Sequence, residues 1–163
     1  MAKPRTFPTH IDIAEADRAA VIELLNSQLA ATFDLYSQTK QAHWNVKGKD
    51  FFQLHELFDT LAETTLEHVD LIAERATALG GSALGTARMA AANSALPEYP
   101  TAATDGPEHV AALVERYGAY AASTRAAIDR SNDCNDADTA DLFTEVSRAV
   151  DKHLWFLEAH LQA

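Results

Sequence analysis

The sequence has only one cysteine, Cys134, among its 163 residues. A single thiol excludes an internal disulfide framework and fits a reducing compartment. No run of about 18 apolar residues is available to cross a bilayer, and the N-terminal stretch lacks the apolar core that a secretory signal requires. We therefore expect a cytoplasmic protein that does not enter a membrane.

Basic residues are also scarce. Lysine and arginine number 13 against 24 aspartates and glutamates, which gives a net charge of −11. Such a charge repels nucleic-acid phosphates over most of the surface and attracts cations. The alternative interpretation is that the charge only keeps the protein soluble. The length suits one domain, residues 1–163, in which we expect residues 1–15 to form a flexible tail.

Strand-like alternation is absent over any length, and the apolar residues recur at helical spacing instead. The first stripe predicts a helix A over Ala19–Val46, with Asp12 as a candidate cap. A second helix B should open at Asp50, with Gln53 completing a capping box, and should end at Gly80. The short link between the two predicts an antiparallel hairpin.

The second half of the chain repeats this pattern after a long connection. The segment from Gly80 to Asp105 is too long for a tight turn, and it can carry a short helix over Arg88–Asn93. Helix C should start at Gly106 and Pro107, and helix D should follow a cap at Asp136 or Asp138. Two hairpins joined by one crossover predict an all-α, ferritin-like four-helix bundle.

Histidines and carboxylates on the first hairpin form a candidate metal site. His43 lies about one turn before the A–B link and His55 about one turn after it, so antiparallel packing brings them together. Asp70 and Glu74 share one face of helix B, and Asp59 lies between the two sets. Imidazole with carboxylate suits iron, manganese or zinc, and the alternative is a set of solvated or hydrogen-bonded surface groups.

These ligands cannot meet within one chain. His55 and Asp70 are fifteen positions apart, which is roughly 22 Å along a helix. A two-fold axis that lays helix B antiparallel to its copy would place His43 and His55 of one subunit beside Asp70 and Glu74 of the other. The Glu-x-x-His pair of the usual di-iron bundle is absent, which also favours the intersubunit arrangement.

Three stretches, KQAHWNVKG, FFQLHELFD and DLIAERATALGG, resemble the signature of the Dps family, the DNA-binding proteins from starved cells. The stretches LGTAR, LPEYPT, DTADLFTEVSR and DKHLWFLEAHLQ extend the resemblance over nearly the whole chain. It implies a hollow dodecamer built from two-fold dimers. Such a shell acts as a ferroxidase that oxidises Fe(II), preferably with hydrogen peroxide, stores ferric mineral and protects DNA from oxidative damage.

The resemblance also assigns roles to residues. His43 and His55 would be the iron ligands of one subunit and Asp70 and Glu74 those of its mate. Asp59 would bind through water or hold an outer iron. Trp44 and Trp155 resemble an aromatic pair that supplies electrons and quenches radicals, with core packing as the alternative role.

A three-fold pore lined by acidic residues at the start of the last helix is a further implication of the resemblance. Asp141 matches the pore position best, and Asp136, Asp138 and Glu145 lie near it. Carboxylates repeated around a narrow opening would concentrate divalent cations. The alternative is an acidic helix N-terminus that the helix dipole favours by itself.

The N-terminal tail departs from the pattern of strong DNA binders, which carry long lysine-rich extensions. Here it contains only Lys3 and Arg5 as basic residues, so we expect weak DNA binding at most. Two rival functions remain open at this point: a nucleoid-associated DNA-binding protein with incidental iron chemistry, and an enzyme of unrelated specificity on the same shell.

Overall fold

A computed structural model describes residues 5–162 of the chain. Within that part the regular structure consists of helices only, and none is long and apolar enough to cross a membrane. The helices are α1 (Glu15–Asn45), α2 (Phe51–Ala78), α3 (Ala87–Asn93), α4 (Gly106–Asp133) and α5 (Ala137–Ala159). The predicted all-α, ferritin-like bundle is confirmed.

Two antiparallel hairpins, α1–α2 and α4–α5, form the bundle, and the crossover with α3 joins them. Gly48 makes the turn between α1 and α2 at a φ of +105°, a conformation that glycine adopts without steric cost. The apolar stripes of the four long helices meet in two buried clusters. One is centred on Phe58, Leu113 and Tyr117, and the other on Leu25 and Phe143.

The helix ends test the predicted caps. Asp12 does not cap α1, which begins at Glu15 after Ala14 and has no side-chain cap. Asp50 is the N-cap of α2, but it makes no side-chain cap bond, so the predicted capping box with Gln53 is wrong. A complete capping box occurs instead at α4, between Asp105 and Glu108. Asp136 caps α5 through the Thr139 N–H, as predicted.

The N-terminal segment lies against the end of the first hairpin. The Phe7 N–H donates to the Gly80 carbonyl at 2.8 Å, and the Ser82 hydroxyl donates to the Arg5 carbonyl at 2.8 Å. Gly80 has a φ of +85°, and a Cβ there would lie 2.3 Å from the Phe7 carbonyl oxygen. Only glycine allows this approach, so this part of the expected tail is hydrogen-bonded to the bundle. Residues 1–4, which include Lys3, lie outside the described residues.

A buried ion pair fixes the start of α5 against the end of α2. Arg75 donates to the Asp136 carboxylate at 2.6 Å and to the Thr139 hydroxyl at 2.8 Å. The Asp136 carboxylate also accepts the Thr139 N–H and hydroxyl. Because Asp136 is 2% exposed, its charge is satisfied by Arg75 and the helix terminus and not by solvent.

Candidate metal centre

The rings of His43 and His55 lie together beside the turn that joins α1 and α2, as the spacing predicted. His43 Nδ1 donates to the His55 carbonyl at 2.8 Å, and His55 Nδ1 donates to the His43 carbonyl at 3.0 Å. The rings stack with centroids 3.8 Å apart and planes 21° apart. Two reciprocal bonds across the hairpin therefore fix both imidazoles.

These bonds also select the tautomer of each ring. A carbonyl can only accept, so both Nδ1 atoms carry a proton, and in the neutral form of each ring Nε2 keeps a free lone pair. A neutral imidazole with its second nitrogen bonded to a carbonyl is the usual state of a metal-binding histidine. The two side chains are thus prepared as ligands.

Asp59 lies next to this pair, one turn further along α2. Its Oδ1 is 3.9 Å from His43 Nε2 and 2.5 Å from the ammonium of Lys40. The hydrogen bond from Lys40 is the main cause of the lowered pKa of Asp59, and together with the charge of the ammonium it outweighs the opposing effect of burial. Asp59 is therefore held as a carboxylate that already has a cationic partner.

The contact between Lys40 and Asp59 was not predicted from the sequence, although it follows from the register of the hairpin. If residue 43 lies opposite residue 55 in antiparallel helices, residue 40 must lie close to residue 59. The ammonium of Lys40 also lies 5.9 Å from the centre of the Trp44 ring. Lys40 thus connects the acidic member of the site with the adjacent tryptophan.

Asp70 and Glu74 lie on α2, well away from the histidines of the same chain. Both side chains are exposed. At about 100° per residue, His55, Asp59, Asp70 and Glu74 fall within roughly 100° of one helix face. Within residues 5–162, no group of three or more His, Cys, Asp or Glu side chains has the geometry to hold a metal ion by itself.

The two tryptophans are both surface residues in the isolated chain. Trp44 is 66% exposed and Trp155 is 61% exposed. Trp44 directly follows His43, whereas Trp155 lies on α5 and contacts Phe156, with ring centroids 5.0 Å apart. Core packing within one chain, the alternative role for both residues, does not fit these exposures.

The acidic residues at the start of α5 divide into two groups. Asp136 is buried and paired with Arg75. Asp138, Asp141 and Glu145 are exposed and fall within roughly 60° of one helix face. Asp136 therefore does not belong with the pore candidates, because its carboxylate points into an ion pair.

Buried polar residues inside the bundle were not identified from the sequence. They include two histidines and two tyrosine hydroxyls whose positions on apolar stripes resemble ordinary core positions: His68, His153, Tyr117 and Tyr120. The tyrosine hydroxyls bond to threonines, with Tyr120 contacting Thr32 at 2.6 Å. Burial lowers the pKa of His153 to about 4, helped by the charges of His68 and Lys152.

Comparison with known proteins agrees with this geometry. The model of the ferritin-like domain family matches residues 22–163. The DNA protection during starvation protein of Agrobacterium fabrum is 46% identical over 158 residues, which is 97% of this chain and 98% of that protein. The chain therefore belongs to the ferritin-like family and, within it, to the Dps proteins.

Solved structures show the same similarity in three dimensions. DpsA14 from Streptomyces coelicolor superposes with a TM-score of 0.93 at 31% identity, covering 99% of this chain and 96% of that one. The tetragonal form of Mycobacterium smegmatis Dps gives a TM-score of 0.90 at 30% identity, with the same coverage of both chains. The similarity extends over the whole described bundle.

Proposed function

We propose that this protein is a subunit of an iron-storing shell that oxidises Fe(II) at sites shared between two subunits and protects DNA from oxidative damage. Membership of the ferritin-like family and of the Dps proteins supports iron storage and DNA protection in general. The observation that carries the finer proposal is the reciprocal bonding of His43 and His55, which leaves both Nε2 atoms free beside Asp59.

The remaining ligands come from a second subunit. Asp70 and Glu74 share the helix face of His55 but lie roughly 22 Å and 28 Å from it along the helix. The same face carries Phe52 and Leu66, which are 68% and 44% exposed. Large apolar side chains on an exposed face favour an interface. An isologous contact through this face, with α2 antiparallel to its copy, assembles two equivalent sites.

The ligand set suits the oxidation. Carboxylates stabilise Fe(III) more than Fe(II), so Asp70 and Glu74 favour the loss of an electron, while neutral imidazoles bind without adding charge. Two Fe(II) ions supply the two electrons that convert one hydrogen peroxide and two protons into two waters. That stoichiometry releases no hydroxyl radical. Trp44, next to His43, is placed to donate an electron if a single Fe(II) reacts.

Lys40 determines what Asp59 contributes. Its ammonium is 2.5 Å from Asp59 Oδ1, the same carboxylate oxygen that lies 3.9 Å from His43 Nε2. We infer that Asp59 holds an outer iron only after this ion pair opens, or binds it through water. The site then has one strong position, formed by His43, His55, Asp70 and Glu74, and one weaker position at Asp59.

Iron would reach the interior through openings lined by the exposed face of α5. Asp141, with Asp138 and Glu145, would concentrate Fe(II) there if subunits meet around a three-fold axis, as in a dodecamer.

DNA binding would be weak, because the net charge is −11 and the backbone of Arg5 is attached to Ser82. Protection of DNA then follows from removing Fe(II) and peroxide and does not require coating the duplex.

Complementation between two inactive variants tests the shared site. One variant lacks His43 and His55, and the other lacks Asp70 and Glu74, each by substitution with alanine. Either homo-oligomer should be inactive. In shells reassembled from equal amounts, half of the dimers are mixed and each holds one complete site, so about a quarter of the sites should recover. Peroxide-dependent Fe(II) oxidation measures the recovery, and verified mixed shells without activity would refute the shared site.

A further inference from the structure

Phe51, the first residue of α2, is an aromatic residue for which the core of the bundle gives no reason. Its side chain is 45% exposed, and it belongs to neither of the two buried clusters. A phenylalanine left partly in water gives up much of the free energy that burial would provide. The role of Phe51 therefore has to follow from what its ring contacts.

The ring of Phe51 contacts the imidazole of His55. Their centroids are 5.1 Å apart, and their planes are tilted by 33°. Side chains of a helix lean towards its N-terminus, so His55 projects over the turn that begins at Phe51. The same imidazole stacks with His43 of α1 at 3.8 Å. His55 is thus in contact with two rings, one from the facing helix and one from the preceding turn of its own helix.

His55 needs such contacts more than His43 does. The hydrogen bond from His55 Nδ1 to the His43 carbonyl fixes one atom of the ring and leaves rotation about that bond to be restricted by packing. His43 is only 8% exposed and is held by the bundle, whereas His55 is half-buried. Phe51 supplies the missing packing, and the direction of His55 Nε2 depends on it.

The subunit contact does not explain Phe51 equally well. Phe52, the next residue, lies roughly 100° away around α2 and belongs, with Leu66, to the exposed face assigned above to the second subunit. Phe51 lies four positions before His55 and only about 40° from it around the helix. Its place on α2 is therefore that of a neighbour of the iron ligand.

We propose that Phe51 is a positioning residue for His55. Its ring keeps the imidazole in the orientation in which Nδ1–H stays on the His43 carbonyl and Nε2 stays available for iron. Phe51 has no ligand atom, so its effect on iron passes through His55. The consequence for iron rests on the proposed function, whereas the effect on the imidazole concerns the iron-free protein.

Two substitutions and one control separate this role from a general effect on the fold. Phe51→Ala removes the ring, and Phe51→Tyr keeps it. Phe7→Ala is the matched control, because Phe7 is also an exposed phenylalanine, at 57%, but its backbone is bonded to Gly80 after the far end of α2. Sedimentation confirms that each variant forms the same shell.

The first readout is the tautomer of His55 in iron-free shells, measured by solid-state ¹⁵N NMR of histidine-labelled protein at about pH 8, above the ordinary pKa of histidine. The signals of His55 are identified by their loss in His55→Gln. In the wild type its Nδ1 should carry the proton. In Phe51→Ala a second population with the proton on Nε2 should appear at His55, while His43 keeps its proton on Nδ1.

The second readout is metal binding and oxidation. A contact between two aromatic rings of this kind should be worth about a two- to tenfold change in affinity. Phe51→Ala should therefore raise the half-saturating concentrations of Co(II) and of Fe(II) by that factor and leave the oxidation rate at saturating Fe(II) nearly unchanged. Phe51→Tyr and Phe7→Ala should match the wild type in both readouts.

The outcomes separate the positioning role from the proposed function. An unchanged His55 tautomer in Phe51→Ala, or Phe51→Tyr behaving like Phe51→Ala, would overturn the positioning role whatever the iron result. A mixed tautomer in Phe51→Ala, together with a wild type that oxidises no Fe(II), would refute the proposed function and support the positioning role. If Phe51→Ala does not assemble, Phe51→Leu decides in its place, because leucine keeps an apolar side chain and removes the ring.

Discussion

His43 and His55 each donate Nδ1–H to the backbone carbonyl of the other, at 2.8 and 3.0 Å, beside the turn that joins α1 and α2. Because each acceptor is a backbone atom, replacing one ring leaves the acceptor of the other in place. The pair therefore acts as two ligands whose orientation depends on the hairpin backbone.

Replacing both histidines by alanine should abolish peroxide-dependent Fe(II) oxidation above the rate of the protein-free reaction. The shell should persist, since the ring positions contribute little to the exposed apolar face of α2. Stopped-flow absorbance of the ferric product measures the loss, and sedimentation measures the assembly. His10→Ala with His160→Ala, two exposed histidines elsewhere, is the control. Unchanged oxidation in the His43/His55 variant would contradict the site assignment.

Lys40→Met should strengthen metal binding at Asp59. Without the ammonium at 2.5 Å, the carboxylate loses the hydrogen bond that chiefly lowers its pKa, and it becomes free to bind a cation. Loss of an ion pair of this kind should raise the affinity of the weaker position roughly two- to fivefold. Titration with Co(II), which is stable to oxidation, measures the affinity, and Lys40→Arg is the control. Equal Co(II) affinities would show that Asp59 is not a ligand.

Asp141→Asn should slow iron uptake at low Fe(II) without changing oxidation at saturating Fe(II). The substitution removes one negative charge per subunit from the exposed face of α5, and that field should matter most at low ionic strength. Uptake rates at two salt concentrations measure the effect. Asp129→Asn, on an exposed position of α4, provides a charge-matched control. If both variants take up iron equally well in low salt, the charge of Asp141 does not attract iron, and its only role is the favourable interaction with the dipole at the N-terminus of α5.

Asp136→Asn should instead reduce stability. The change keeps a capping side chain on α5 but leaves the guanidinium of Arg75 without its buried partner, which costs about 3 kcal/mol in comparable ion pairs. Urea denaturation measures the free energy of unfolding. Asp138→Asn, at a side chain that is 87% exposed, should change that free energy by less than about 0.5 kcal/mol. Equal stabilities of the two variants would argue against the ion pair as an anchor.

The protein should lose stability as the pH falls from 6.5 towards 4, in part through His153. Its pKa is lowered from 6.5 to about 4 in the folded chain, so the unfolded chain binds more protons in this range. This contribution is fully present above pH 6.5 and declines by at most about 1.4 kcal/mol per pH unit. Urea unfolding at several pH values across this range measures the change in the free energy of unfolding per pH unit.

His153→Phe should flatten that pH dependence, because phenylalanine keeps a ring beside Tyr117 and takes up no proton. The control is His160→Phe at an exposed position, which should keep the slope of the wild type. His68, which lies close to His153, also has a pKa lowered by burial and opposed by the charges of Glu145 and Glu67. If the free energy of unfolding depends on pH in both His153→Phe and His68→Phe as it does in the wild type, His153 and His68 are not the origin of that dependence.

The sequence by itself determined the helical hairpins and the residues of the first half-site. Apolar residues at three- and four-residue steps define one buried stripe per helix, and a short link forces neighbouring helices to be antiparallel. The juxtaposition of His43 and His55, and the separation of His55 from Asp70, follow from helix rise alone. The predicted cap at Asp50 failed because its side chain makes no bond to the first turn of α2.

Only the tertiary structure decided which polar groups are paired and which are free. Asp136 and Asp141 look alike in the sequence, yet Arg75 reaches the first from the end of α2 and leaves the second exposed. His109 and Tyr99 occupy ordinary positions in a helix and a crossover, and they meet because the crossover lies against α4, where the Tyr99 hydroxyl is 2.5 Å from His109 Nδ1. Partners distant in sequence are chosen by packing, and a local pattern of residues does not contain that information.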